Sequence, residues 1–176
     1  MTRSRGPIHA FLAEEHVRLE ALLTRATEDP CELDAASFAE FRSGILRHIA
    51  MEEKVLLPAA QRANGGKPLP LARRLRVEHG AIAILLVPSP TREIVRELRS
   101  IFTPHHEAEE GPGGHFELCD RLLAGEAEAV VARMRDYPSV KVAPHCDGPG
   151  ALRTAEEAMS LSRRQTAYGG RRSTEN

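Results

Sequence analysis

The chain of 176 residues has no tryptophan, and aromatic residues make up only 4% of it. This scarcity argues against sites that stack nucleic-acid bases or sugar rings on aromatic side chains. The net charge is also close to zero, because the chain has 24 Lys and Arg residues and 25 Asp and Glu residues. Without an excess of positive charge, we expect neither nucleic acid nor a membrane surface as a partner.

Cysteines and long apolar runs are scarce too. The three cysteines, Cys31, Cys119 and Cys146, are an odd number without CxxC spacing, so we expect free thiols rather than a disulfide framework. No apolar run approaches the roughly 18 residues that a membrane helix needs. The first residues include basic side chains but no apolar core of a signal peptide, which predicts a cytoplasmic protein.

What the chain does have is a helical period of apolar residues. Apolar side chains recur at i, i+3, i+4 and i+7, and Pro or Gly clusters interrupt the pattern. Helices are predicted over about 9–26, 35–63, 70–87, 91–110 and 115–136, the last split near Ala124–Glu126, with a short helix over 151–163. The predicted fold is all-α, an antiparallel up-down four-helix bundle with additional C-terminal helices.

The domain organisation follows from these helices. Residues 1–136 are expected to form the bundle, including its fifth helix. Residues 137–164 are expected to form a connector and a short helix that packs on the bundle. The polar tail, residues 165–176, is predicted to be disordered.

A two-helix unit occurs twice in the sequence. The first and third helices each contain the dipeptide Glu-His, and the second and fourth each contain His-xxx-Glu-Glu. These motifs are Glu15-His16, His48-xxx-Glu52-Glu53, Glu78-His79 and His105-xxx-Glu109-Glu110. A duplicated helical hairpin of this kind predicts a bundle with approximate two-fold symmetry.

The repeated motifs place ionisable groups beside the apolar stripes of the helices. Residues four apart share a helix face, so His48 projects with Glu52 and His105 with Glu109. His16 and His79 lie beside the leucines of the other two helices. Burying two carboxylates without a cation costs several kcal/mol each. Mixed nitrogen and oxygen ligands favour first-row metals such as iron or manganese, in a dinuclear site with open coordination positions.

These residues resemble the hemerythrin HHE cation-binding domain family. The resemblance covers roughly residues 9–115 and includes EEKVLLP, Glu52–Pro58. It implies two non-haem iron ions, with Mn or Zn as alternatives, held by His16, His48, Glu52, His79, His105 and Glu109. In the oxygen carriers of that family the third helix has HxxxH, but here Ala83 follows His79 by four positions, which argues against reversible oxygen carriage.

Some assignments stay open at the level of sequence. The oxygen carriers take their last carboxylate five residues after the fourth-helix His, so Glu110 is the alternative to Glu109. The roles of His115, Cys119, His145 and Cys146 are not assigned, nor are the native metal, its stoichiometry and the oligomeric state. Pro104 predicts an irregular fourth helix beside the site.

The resemblance implies a function for the site. A di-iron protein of this kind binds O2, nitric oxide or peroxide, in sensing, iron handling or defence against oxidative and nitrosative stress. Reduction of O2 or peroxide would make it an enzyme, but no dedicated proton donor is evident in the sequence. The alternative is a metal-responsive regulatory or interaction module without turnover, whose folding depends on its metal.

Overall fold

The computed structural model describes residues 5–172, and the side chains of residues 5–167. This part of the chain is helical and contains no β-strand, which confirms the all-α class. None of its helices has a stretch long and apolar enough to cross a bilayer. The up-down four-helix topology stays a prediction, as does the division at residues 136 and 164.

The helices follow the predicted segments closely. They are α1 (Pro7–Ala26), α2 (Ala35–Met51), a π-helical segment (Glu52–Leu56), α3 (Leu57–Ala63), α4 (Ala72–Leu85), α5 (Arg92–Glu110), α6 (His115–Leu122), α7 (Ala127–Arg135) and α8 (Ala155–Arg172). The break between α6 and α7 lies where the sequence predicts it. Helix α8 is longer than expected and extends into the predicted disordered tail; residues 173–176 of that tail lie outside the described residues.

Side-chain caps explain where two helices begin. Asp34 accepts hydrogen bonds from the backbone N–H groups of Ala36 and Ser37, which caps α2. Asp120 of α6 accepts hydrogen bonds from the backbone N–H groups of Ile8 and His9 in the first turn of α1. A Cβ at Gly6 would overlap the Asp120 carboxylate, so the close approach of this cap requires glycine.

The π-helical segment Glu52–Leu56 begins at a predicted metal ligand and was not predicted from the sequence. Its cause is Pro58, which has no N–H and whose ring would clash with the carbonyl four residues earlier, at Lys54, in an unbroken α-helix. Widening the turn to i→i+5 bonds, as in Leu57 N–H to Glu52 O, lets the helix continue through the proline. The segment therefore sets the direction in which the helix leaves the site.

The described residues group into two compact units. The first comprises the residues up to Leu71 together with His106–Val142, and the second comprises Ala72–His105 and the residues from Ala143 onward. In the first unit α1 packs against α2, α6 and α7. Arg47 of α2 donates hydrogen bonds to the carbonyl oxygens of Met134, Arg135 and Tyr137, which closes the C-terminal end of α7.

In the second unit α8 packs against α4. Ser162 of α8 is buried and donates a hydrogen bond to the Val77 carbonyl at 2.7 Å. The connector before α8 is also held, because Asp147 accepts hydrogen bonds from the N–H and hydroxyl groups of Ser89. These bonds and that from Arg153 lower the pKa of Asp147 to about 2.

The cysteines are free thiols, as the sequence predicts. Cys119 is buried, its Sγ lies 3.6 Å from His115 Nε2, and burial raises the pKa of its thiol. Cys146 is exposed, and its backbone N–H donates to the Val87 carbonyl. Cys119 is therefore a residue of the core, and Cys146 lies on the exposed connector before α8.

The close approach of α8 to α4 gives a testable prediction. A Cβ at Gly80 would overlap the Ser162 hydroxyl, which its bond to Val77 holds in place. We expect Gly80→Ala to lower the free energy of unfolding by about 1–3 kcal/mol, the usual cost of overpacking. In the Ser162→Ala background, where the hydroxyl is absent, urea denaturation should show that Gly80→Ala lowers the free energy of unfolding by no more than half as much. An equal cost in both backgrounds would show that the two residues are not coupled.

Candidate metal centre

Four of the predicted ligands come together in the first unit. His16 projects from α1, His48 from the last turn of α2, Glu52 from the start of the π-helical segment and Glu109 from the end of α5. All four are buried, with exposed fractions of 3%, 1%, 2% and 0%. We call these residues the inner cluster.

The ring nitrogen His16 Nε2 lies at the middle of the inner cluster. It is 3.0 Å from His48 Nε2 and 3.5 Å from Glu109 Oε2, while His48 Nε2 is 3.5 Å from Glu52 Oε1. Carboxylate oxygens of Glu52 and Glu109 lie within 4.8 Å of one another. Two imidazoles and two acidic groups therefore converge on one small, water-poor volume.

Glu110 determines how the His16 ring is oriented. His16 Nδ1 lies 2.7 Å from Glu110 Oε1, so an ionised Glu110 accepts a hydrogen bond from Nδ1–H. With the proton on Nδ1, the lone pair of Nε2 is directed into the inner cluster. Burial lowers the pKa of His16 despite this bond, and the bond from His16 lowers the pKa of Glu110. At neutral pH this is the arrangement of a metal ligand with its orienting carboxylate.

The donor set of the inner cluster fits a metal ion. Two nitrogens bound to one ion at about 2.1 Å lie about 3 Å apart when their bonds are perpendicular, which matches the two Nε2 atoms. Two neighbouring buried carboxylates repel each other, and a cation offsets both their charge and their desolvation. These buried His and Glu groups can hold a metal ion.

The other two predicted ligands come together in the second unit. His79 of α4 and His105 of α5 are buried, with ring centroids 4.9 Å apart and ligand nitrogens within 4.8 Å of one another. His105 Nδ1 donates to Glu78 Oε2 at 2.9 Å, and Glu78 also accepts from Arg74 Nε at 2.7 Å. Burial acts to raise the pKa of Glu78, but the bonds from His105 and Arg74 lower it overall.

Sequence reasoning missed two of these features. In the sequence Glu78 is only part of a repeated Glu-His dipeptide, although it holds the His105 ring as Glu110 holds that of His16. Its counterpart in the repeat, Glu15, instead pairs with Arg18 on the surface of α1. His106, which was not a predicted ligand, stacks on His16 with ring centroids 3.9 Å apart. Neither contact is visible in helical periodicity, because both depend on distant parts of the chain.

The chain was compared with known proteins at the level of sequence family, curated sequences and solved structures. No family model, curated protein or solved structure matches it significantly. The likeness to the hemerythrin HHE pattern therefore rests on the motif residues alone. Support for a metal centre comes from the geometry of those residues.

Proposed function

We propose that this chain is a hemerythrin-like non-haem iron protein that binds O2, nitric oxide or peroxide, in sensing, iron handling or stress defence. The inner cluster carries the proposal, because its two histidine nitrogens lie 3.0 Å apart beside two buried carboxylates. Bound iron would supply reversible one-electron chemistry and coordination positions for a small ligand. The antiparallel four-helix bundle predicted from the sequence belongs to the same proposal.

The proposed centre is dinuclear. Its ligand set is the one that the repeated sequence pattern assigns, namely His16, His48, Glu52, His79, His105 and Glu109. A carboxylate can bind two ions at once, so Glu52 and Glu109 are the bridging ligands in this assignment. Glu109 is preferred to Glu110, since Glu109 is 0% exposed whereas Glu110 is bonded to the far side of the His16 ring.

The residues around the ligands orient them and exclude water. Glu110 holds the His16 ring and Glu78 holds the His105 ring, each through an Nδ1 hydrogen bond. These bonds fix the tautomer that leaves Nε2 as the ligand atom. The low exposure of every ligand limits the site to small molecules, which agrees with a diatomic gas or peroxide as the partner.

Glu110→Gln tests the orienting role of this carboxylate. The amide keeps the size of the side chain but removes the charge that favours Nδ1–H on His16, so we expect metal affinity to fall by about 10–100-fold. Anaerobic competition between the protein and a chelator for Fe²⁺ measures this affinity. Far-ultraviolet circular dichroism controls for folding, and unchanged affinity in a folded variant would assign Glu110 no orienting role.

Metal content and the visible spectrum test the proposed function itself. We expect about two iron ions per chain and charge-transfer bands of a diferric centre after exposure to air or peroxide. Repeated consumption of peroxide would indicate an enzyme, and a stable adduct would indicate a sensor or carrier. A folded protein that takes up no iron in reducing, anaerobic buffer would refute the proposal.

The burial of two carboxylates also favours a second function, a metal-responsive regulatory module without turnover. Because the ligands are assembled only in the folded chain, metal binding would stabilise the fold and so report metal supply. Metal-dependent melting without redox bands or peroxide consumption would select this function.

A further inference from the structure

The segment HHEAEE of α5 contains two His/Glu pairs that are each four residues apart. The first is His105 with Glu109, and the second, one position later, is His106 with Glu110. On an α-helix the second pair is rotated by about 100° from the first. The repeated motif on α2 has no such second pair, because Ile49 stands in the position that His106 occupies. The second pair is therefore a feature of α5 alone.

Both members of the second pair contact His16: Glu110 lies at Nδ1, the ring edge away from the inner cluster, and His106 lies on the face of the ring. His16, His106 and Glu110 each offer a ligand atom, and these atoms lie within 4.8 Å of one another. His106 stacks on the His16 ring at 16° between planes, and Glu110 Oε1 lies 2.7 Å from His16 Nδ1. Nitrogen and carboxylate oxygen together are a donor set for divalent first-row metals. We call these three residues the outer group.

The outer group is partly exposed to solvent, whereas the inner cluster is buried. The Glu110 side chain is 24% exposed, and Glu110 lines a cavity of about 510 Å³ in the first unit. Glu117 and Asp120 also line this cavity, as do Arg5 and Arg121, so carboxylates outnumber guanidinium groups. His9 lines it as well, is only 7% exposed, and has no hydrogen-bond partner for Nε2 among the described residues. His9 Nε2 is thus a further nitrogen ligand for a cation in the cavity beside Glu110.

We propose that His106 and Glu110, with His16, form an outer entry site for a divalent cation that then passes to the inner cluster. The proposal rests on the proposed function, because the inner cluster must be the destination of the ion. His16 belongs to both groups, since Nδ1 faces Glu110 and Nε2 faces His48. A cation that binds His16 Nδ1 takes the place of the proton there, and that proton moves to Nε2, where His48 Nε2 accepts it. When the cation leaves Nδ1, the proton returns to Nδ1 and to its hydrogen bond with Glu110, which frees Nε2 to bind the cation in the inner cluster.

The outer site is weaker than the inner cluster for two reasons. Glu110 and His106 are partly exposed to solvent, and an ion there must displace the hydrogen bond from His16 to Glu110. An entry site of this kind raises the rate of metal uptake without raising the amount of metal finally held.

His106→Phe is the diagnostic variant, because phenylalanine preserves a ring against His16 but cannot bind a metal. Metal-free protein is mixed with Fe²⁺ under anaerobic conditions, and the iron held is measured after chelator quenching at increasing times. We expect uptake about tenfold slower than in the wild type, because loss of one residue of a metal site lowers its affinity for the ion by at least that factor, with the same final iron content. Glu107→Gln, which removes an exposed charge one residue away, should leave the rate unchanged.

The outcomes separate this inference from the proposed function. Wild-type uptake rates in His106→Phe would overturn the entry site while leaving the inner centre intact. Equal slowing in Glu107→Gln would also overturn it, since a general charge effect would then suffice. If the wild type retains no iron after quenching, the proposed function fails instead. His106→Gln repeats the measurement should the Phe variant not fold, with the same slowing expected.

Discussion

Fe²⁺ should raise the melting temperature of the wild-type protein by about 8–16 °C, and His48→Ala should abolish this increase. Ligand present at 1,000 times its dissociation constant stabilises a fold by about 4 kcal/mol. For a chain of this length, each kcal/mol corresponds to about 2–4 °C. His48 is 1% exposed and its Nε2 lies 3.0 Å from that of His16, so its loss removes a central ligand.

The measurement is thermal unfolding followed by circular dichroism, with Fe²⁺ under anaerobic conditions and with a chelator. Each variant is compared with itself, because removing a buried imidazole also leaves a cavity that lowers stability without metal. His145→Ala replaces an exposed histidine and should keep the full response to Fe²⁺. If the wild type melts at the same temperature with and without metal, the inner cluster is a set of buried polar residues and no more.

Much of this site was predictable because it is encoded in local periodicity. Apolar spacing predicted the helices, and His48 with Glu52 or His105 with Glu109 could be assigned to one helix face from a separation of four residues. Burial of these residues followed from the apolar stripes beside them, and the structure shows all of them buried. The class of fold and the candidate metal-binding residues therefore needed no knowledge of tertiary contacts.

The sequence could not predict the contacts between residues that lie far apart in the chain. Glu110 reaches His16 across 94 positions and Asp120 caps α1 across 112, and no periodicity connects such pairs. The sequence leaves the choice between Glu109 and Glu110 open for this reason, since both lie near the end of the same helix. The π-helical segment escaped prediction because a proline two residues beyond it can be accommodated by a kink, a break or a widened turn.

The length of α8 was missed for a different reason. Its sequence beyond Arg163 is polar, which predicts a disordered tail when the segment is considered alone. The part of α8 before this point packs against α4, where Ser162 bonds to the Val77 carbonyl and lies against Gly80. A helix that is already formed extends at low cost, because each added residue gains a hydrogen bond without a new nucleation step.

Glu109→Gln should have opposite effects on stability with and without metal. Glu109 is 0% exposed, and one of its oxygens lies within 4.8 Å of a Glu52 oxygen. In metal-free protein the substitution removes the repulsion between two buried carboxylates, so the free energy of unfolding should rise by on the order of 1 kcal/mol. With Fe²⁺ present the variant lacks a ligand, and the stabilisation by metal should fall sharply.

Urea denaturation in chelator and in anaerobic Fe²⁺ measures both effects. Glu107→Gln removes one exposed carboxylate from the same helix and should change stability by no more than about 0.5 kcal/mol in either condition. A metal ligand of this kind destabilises the metal-free fold, because its buried charge is offset only when the metal is bound. A structural carboxylate stabilises the fold, so its replacement would lower the free energy of unfolding. Loss of stability in metal-free Glu109→Gln would therefore identify Glu109 as a structural residue and remove it from the metal centre.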